Sequence, residues 1–289
     1  MALADFPAAM ARSARTVWFD GRADSAGTRD IPVETPVNIV YGDAPFAVMM
    51  TTPKDLEDFA YGFSFTEGVI AGASDIQGVE LQSQERGLEL RITLAPGLAP
   101  RAVSRERNTA GRTGCGLCGI DQLDALPMAL VRPHTRHPVE LSAIRRGLDA
   151  LEQRQALNRL THAVHAAAWC TASGEIVAVR EDVGRHNALD KLLGALLRAG
   201  HAAADGFLLI TSRCSFEMVE KAAVYGASTI VAISAPTSLA VERAVLHGMT
   251  LLAVARRDSA LVFHGAEFVH AGAAAVGANA AVPAGEGVT

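Results

Sequence analysis

The sequence of 289 residues predicts an α/β protein: a mostly parallel sheet covered on both faces, preceded by a smaller β-rich lobe. Three observations carry this. In the second half, short continuous apolar runs alternate with amphipathic stretches, as strands alternate with crossover helices. In the first half, period-two alternation around glycine-containing turns predicts hairpins. Apolar residues make up 49% and charged residues 20%, a globular composition at a length that buries a sizeable core.

Taken in order, MALADFPAAMARSART has no sustained apolar core, and no run approaches the roughly 18 residues that span a bilayer. Residues 1–30 are expected to be a flexible N-terminus. In ETPVNIVYGDAPFAVMM, Val37, Ile39 and Tyr41 alternate up to Gly42-Asp43-Ala44-Pro45, and Phe46, Val48 and Met50 resume beyond, which is a hairpin. TTPKDLEDFAYGFSFTEG reads as a helix with Thr52 as N-cap and Pro53 at the first helical position. VELQSQERGLELRITL gives a second hairpin around Glu85-Arg86-Gly87. Over residues 95–119 the pattern dissolves into Pro, Gly, Arg and Ser, and long irregular loops usually carry function. The lobes are expected at 31–135, with a mobile loop at 95–119, and at 136–270.

In the second lobe GEIVAVRED reads as a strand and GRHNALDKLLGALLRAG as a helix presenting Leu189, Leu192, Leu193, Leu196 and Leu197 on one face. FLLITS, STIVAIS, TLLAVA and LVFHG follow as strands, with SFEMVEKAAVYG and SLAVERAVLHG as helices between them. Continuous apolar strands imply a parallel sheet, whose ligands sit at the carboxyl ends of the strands. The turns at Glu181-Asp182, Ser212-Arg213, Ser234-Pro236 and Arg256-Ser259 then share one rim. Residues 271–289 are low-complexity and expected to be disordered.

The net charge of −5 argues against a nucleic-acid binder, although Arg101, Arg105, Arg107 and Arg112 cluster before the cysteines and Arg256-Arg257 form a second pair. Of four cysteines, Cys170 and Cys214 stand alone in or beside apolar segments and read as small buried hydrophobes. Cys115 and Cys118 lie in GRTGCGLCG, and in the reducing cytoplasm expected for this chain such a pair points to metal or sulfur chemistry. Zinc needs further ligands, for which His134 and His137 are the nearest candidates. A thioredoxin-like pair would follow a strand, whereas this one follows a basic loop. A glycine-flanked thiolate beside Arg112 suits a swinging sulfur carrier. These alternatives stay open on composition.

In VREDVGRHNALDK, Glu181, Asp182, Arg185, His186, Asp190 and Lys191 crowd a strand-to-helix turn. This is either a capped helix start with Lys191 paired on the surface, or a polar rim with His186 as a donor. In SRCSFEMVEKA, Ser212, Arg213 and Ser215 precede a helix bearing Glu217 and Lys221. That suits an anion, or a capping box started by Ser215. His162 and His165 in THAVHAAAW lack a nearby carboxylate and read as structural.

RTGCGLCG, THAVHAAAW, EDVGRHNALDK, SRCSFEMVEKA and ISAPTSLAVERA, in that order, resemble the formate dehydrogenase accessory sulfurtransferase family, FdhD, over residues 35–264. The resemblance implies a cytidine-deaminase-like three-layer α/β/α core with a smaller N-terminal lobe. It implies sulfur taken as a persulfide from a cysteine desulfurase onto Cys115, with Cys118 as its partner. The sulfur then passes to the molybdenum (or tungsten) bis-guanine-dinucleotide cofactor before insertion into formate dehydrogenase. The implied cofactor-binding segment is Val254, Ala255, Arg256, Arg257, Asp258 and Ser259, with Arg213, Ser215 and His186 as further positions and GDP as a fragment ligand. The family often has Gly at Arg257, Arg at Ser259, and a Gly pair at His162-Ala163. The deaminase zinc signature, His-x-Glu with a later Pro-Cys-x-x-Cys, reads His165-Ala166-Ala167 and Ser212-Arg213-Cys214-Ser215, so no zinc is expected. The family forms homodimers, and SLAVERAVLHG offers a face for one. The alternatives are a non-catalytic cofactor chaperone and a zinc-dependent deaminase-type hydrolase.

Overall fold

A computed structural model describes residues 6–98 and 136–271. The chain starts with an antiparallel hairpin, β1 (Ala9–Thr16) and β2 (Ser25–Pro32), in the segment expected to be flexible. A four-stranded sheet follows, built from β3 (Thr35–Tyr41), β4 (Ala44–Thr51), β5 (Ile76–Gln84) and β6 (Gly87–Leu94) in the order β4-β3-β6-β5. Both hairpins form as the alternation predicts, and β3 and β6 close the sheet as a parallel pair. Gly42 turns the first of them at φ 62, a left-handed value that glycine adopts without steric cost.

Helix α1 (Leu56–Thr66) starts later than the Thr52-Pro53 cap predicts, after Asp55 at φ 54. The reason is that Thr52 is held elsewhere. Its N–H donates to Asp182 Oδ2 at 2.9 Å, its hydroxyl accepts from Val183 N at 3.2 Å, and its carbonyl accepts from Lys191 Nζ at 2.8 Å. These bonds reach across some 130 residues and outcompete a local cap.

The remaining elements are β7 (Val139–Glu140), α2 (Leu141–Arg154), α3 (Ala156–Thr161), β8 (His165–Thr171), β9 (Ile176–Asp182), α4 (Arg185–Arg198), β10 (Gly206–Ile210), α5 (Phe216–Tyr225), β11 (Thr229–Ala232), α6 (Ser238–Leu246), β12 (Thr250–Ala253), β13 (Leu261–His264) and β14 (Val269–His270). Six strands form one sheet in the order β13-β12-β11-β10-β8-β9. The expected mostly parallel sheet is corrected here. Only β10-β11 and β11-β12 run parallel, because β8-β9 is a hairpin, β10 lies antiparallel to β8, and β13 returns antiparallel to β12.

Side chains alternate across this sheet into two cores. Ala167, Trp169, Leu208, Ile210, Ile230 and Leu251 join α4, α5 and α6, and this core runs on without a break into the four-stranded sheet. Ala168, Cys170, Phe207, Leu209, Val231 and Leu252 face α2. Helix α4 is therefore interior on nearly all sides rather than amphipathic along one stripe. It crosses α1 backbone to backbone. A Cβ at Gly62 would overlap the carbonyl oxygen of Asp190, and one at Gly194 would overlap that of Asp58. The two glycines are what let the sheets share one core. Among the described residues no helix is long and apolar enough to cross a membrane.

Candidate functional site

The parallel strands β10, β11 and β12 deliver their carboxyl ends to one edge, and three loops are laced together there. Ile233 N donates to Ile210 O at 2.9 Å, Cys214 N to Ala235 O at 3.2 Å and Thr237 N to Cys214 O at 3.0 Å. Val254 N donates to Ser234 O and Ala255 N to Ala232 O, both at 3.1 Å. The predicted rim exists, with β8 and β9 adding His165 and Asp182 at their paired ends.

Val254 opens the predicted cofactor segment at φ 53. A β-branched residue in the left-handed region is a conformational outlier, costing on the order of 1–3 kcal/mol and persisting only where neighbours over-determine it. The bonds to Ser234 and Ala232 do so. The next residues form a tight turn closed by Arg256 N donating to Ser259 O at 2.7 Å, while Ser259 Oγ donates to Asp258 Oδ1 at 3.0 Å. The six residues share a loop, but their side chains diverge. Ala255 is buried toward α2. Arg256 Nη1 donates to the carbonyls of Ile233 at 2.6 Å and Ala255 at 2.9 Å, crossing the end of β11. Arg257 leaves the rim and pairs with Asp149 and Glu152 of α2 at 3.4 and 3.2 Å.

A second group of predicted residues gathers where α4 and α5 begin. Arg213 is exposed on the loop after β10. Ser215 is the N-cap residue of α5, and its backbone carbonyl accepts from Met218 N at 3.0 Å. Its side chain makes no cap bond, which corrects the capping-box expectation, and among the described residues its buried Oγ has no hydrogen-bond partner. His186 Nε2 lies 2.9 Å from Glu217 Oε2, tying the first turn of α4 to that of α5. His165 is nearby. Burial, then the charge of Arg185, pushes its pKa below the ordinary histidine value and disfavours the protonated ring. The Val254–Ser259 loop and this second group sit on one rim, linked through residues 234–237.

The polar motif between them is structural to a degree its composition did not disclose. Lys191, which the capped-helix reading puts on the surface, is fully buried, with Nζ 2.6 Å from Asp182 Oδ2. Asp182 also accepts from Thr52 N at 2.9 Å, Gly184 N at 2.7 Å and Asn187 Nδ2 at 3.0 Å. Asn187 Nδ2 donates in turn to Met50 O at 2.8 Å. Asp190 accepts from Lys221 at 2.9 Å and from Thr66 at 2.8 Å. Asp58 of α1 pairs with Arg180 and Arg198. Each cluster joins an element of the first half to one of the second, so the rim is fixed relative to the four-stranded sheet. Sequence reasoning gave Thr52 a different role and missed Asp58, Thr66, Arg180, Asn187 and Arg198, because the partners that bring them into these clusters lie more than 100 residues away.

Cys214 and Cys170 are fully buried, and burial pushes both thiols up to about 12, the inert state expected of them. Cys115 and Cys118, and with them Arg101, Arg105, Arg107, Arg112 and His134, lie outside the described residues.

The FdhD/NarQ family model matches residues 32–270. A protein named "Sulfur carrier protein FdhD" from Xanthomonas euvesicatoria pv. vesicatoria (strain 85-10) is 44% identical over 250 residues, covering 86% of this chain and 89% of that protein. One of the same name from Bordetella parapertussis is 42% identical over 244 residues, covering 84% and 88%. A crystal structure from Desulfotalea psychrophila, of a protein named provisionally as a formate dehydrogenase accessory protein, superposes with a TM-score of 0.72. It is 24% identical, covers 91% of this chain and 100% of its own, and shows that the fold is shared. The chain belongs to the FdhD/NarQ family.

Proposed function

We propose that this chain is a sulfur carrier in formate dehydrogenase maturation, loading sulfur as a persulfide on Cys115 and passing it to a guanine-dinucleotide metal cofactor. The observation that carries the first part is the family match over residues 32–270, with relatives named as sulfur carriers at 42–44% identity. The Cys115-Gly116-Leu117-Cys118 run gives that role its chemistry. A desulfurase persulfide attacked by the Cys115 thiolate transfers one sulfane sulfur, leaving the donor as thiolate, with no net oxidation. Releasing that sulfur as sulfide takes two electrons. Attack of the Cys118 thiolate on Cys115 supplies them by closing a disulfide as hydrosulfide departs. This gives Cys118 a role that a lone carrier cysteine does not need.

The cofactor is the substrate and carries two pyrophosphates and two guanines. In our reading the strained loop of Val254, Ala255, Arg256, Arg257, Asp258 and Ser259 receives a guanine end, with Arg256 able to turn its guanidinium from carbonyls to phosphate. Arg213 and the N-terminus of α5 at Ser215 offer a cradle for anionic oxygens beside His186. We read the six-stranded layer as deaminase-like in descent. The position of the deaminase glutamate is Ala167, buried in the core, which speaks for sulfur carriage over hydrolysis. We also take the working unit to be a symmetric dimer.

Maturation in cells lacking this protein tests the reading. Wild type should restore formate dehydrogenase activity and Cys115→Ala should not. Full restoration by Cys115→Ala would leave only a cofactor-holding role.

A further inference from the structure

The arm formed by β1 and β2 is a two-stranded sheet that, among the described residues, no third strand joins. All but its last residue precedes residues 32–270, the stretch that the family model matches. In its register Met10 stands opposite Ile31 and, two residues along on the same face, Arg12 stands opposite Arg29. Like charges directly opposite each other destabilise a ribbon unless an anion lies beside them. Helix α3 packs against both strands and adds Arg159 and Leu160. Arg29 Nη2 donates to Thr161 O at 3.5 Å, which brings the arm's arginines to the end of α3 that carries Arg159. All six side chains are exposed. Among the described residues the three arginines form no ion pair, whereas Asp20 and Asp24 are already taken by Arg22 and Arg15. Asp30 falls on the other face of β2. In a chain of net charge −5 this leaves a surface of one sign, basic, set around exposed apolar residues. It borders the rim: Glu181, next to Asp182 at the end of β9, accepts from Leu157 N and Asn158 N of α3 at 2.8 Å, and His165 opens β8 just after α3.

We propose that this surface docks an extended acidic segment of a partner protein, which adds to the arm as a third strand and sets its carboxylates against Arg12, Arg29 and Arg159. The open edges and the charge both choose this occupant. A two-stranded ribbon is marginal in water and gains stability from a third strand, for which its unpaired edges supply main-chain donors and acceptors. Charges on an edge guard it against stray pairing, but a guard of one sign turns away only its like. It repels the same edge of a second copy and accepts acidic residues, which remove the repulsion between Arg12 and Arg29 as they bind. Met10, Ile31 and Leu160 give the apolar side chains of the added strand a place to lie. A partner held here stands beside the rim, as one that exchanges sulfur or cofactor with this chain must. The surface is complete without Cys115, so it stands or falls apart from the sulfur-loading reading.

Calorimetry on the full chain tests it, with a synthetic peptide of alternating glutamate and valine, about eight residues long to match the arm's strands, and its lysine-valine counterpart. Wild type should bind the glutamate peptide, with an affinity that falls as salt is raised, and should not bind the lysine peptide. The double variant Arg12→Glu/Arg29→Glu should bind the glutamate peptide at least about tenfold more weakly, because attraction becomes repulsion at two positions. A glutamate peptide methylated on its backbone nitrogens cannot donate main-chain bonds and should fail to bind. Both arginines are exposed, and unchanged circular dichroism will show that the double variant is folded. In cells lacking this protein, the double variant should restore less formate dehydrogenase activity than wild type. Binding of both peptides alike, or of neither, overturns the proposal. Undiminished binding of the methylated peptide refutes the added strand, and full maturation by the double variant refutes the partner. Vesicles of phosphatidylglycerol that bind wild type and not the double variant, with the glutamate peptide left free, would assign the surface to a membrane and overturn the proposal.

Discussion

Lys191→Met removes one charge from a fully buried ion pair and keeps the length of the side chain. Lys191 Nζ donates to Asp182 at 2.6 Å and to the carbonyl of Thr52 at 2.8 Å, and both residues of the ion pair have fully buried side chains. Removing one partner of a buried pair leaves the other charge uncompensated, at a cost of about 3–5 kcal/mol. Asp182 keeps three donors, from Thr52, Gly184 and Asn187, which sets the expectation at the lower end, about 3 kcal/mol. For a chain of this size that lowers the unfolding midpoint by about 5 °C. Urea denaturation of Lys191→Met, Asp182→Asn and the double variant measures it. The double variant should recover at least about 1 kcal/mol relative to the sum of the singles, since it leaves no orphaned charge. Strict additivity, or a loss under about 1 kcal/mol in Lys191→Met, would show that water reaches the pair and that it does not tie the two halves together.

Three further outcomes follow from the same geometry. Arg256→Glu should weaken GDP binding by about tenfold or more in calorimetry, through loss of one charge-assisted contact and gain of a repulsive one, and leave sulfur loading unchanged; unchanged GDP affinity would move the nucleotide elsewhere on the rim. Val254→Gly should raise stability or leave it level, because relief of strain at φ 53 offsets the added chain entropy, and it should loosen GDP binding; a clear loss of stability would mean that the valine side chain, not the backbone, fixes the loop. His165 has a folded pKa depressed below 6.5, so the unfolded chain binds the extra proton first, and stability falls as pH drops below about 6.5 toward the folded value. His165→Gln should flatten that part of the stability profile, and an unaltered slope would assign it to other groups.

Much of this fold was legible because its signals are local. The alternation in residues 35–50 and 79–94 sets both hairpins, and the apolar runs at 207–210, 229–232 and 250–253 set the three strands whose ends form the rim. What escaped depends on distant partners. Thr52 reads as a helix cap until Asp182, Val183 and Lys191 claim its three polar groups. Lys191 looks like a surface lysine because its buried carboxylate is nine residues away, and the Thr52 backbone that bonds both members of the pair lies 130 residues or more from them. Strand direction escaped too, since continuous apolar character reports burial on two faces and not whether a neighbour runs parallel. Of the candidate site, the strand-end loops were readable from topology, while the divergence of Arg256 toward β11 and Arg257 toward α2 depends on the carbonyls and carboxylates that happen to lie there.

The central claim is that Cys115 carries sulfur, and intact-protein mass spectrometry after incubation with a cysteine desulfurase and cysteine tests it most directly. The account predicts one added sulfur atom on wild type, mapped to the Cys115 peptide and removed by a reducing thiol, with none on Cys115→Ala and a smaller yield of transfer from Cys118→Ala. Sulfur added equally to Cys115→Ala, or a wild-type chain that stays unmodified while formate dehydrogenase still matures, would contradict it.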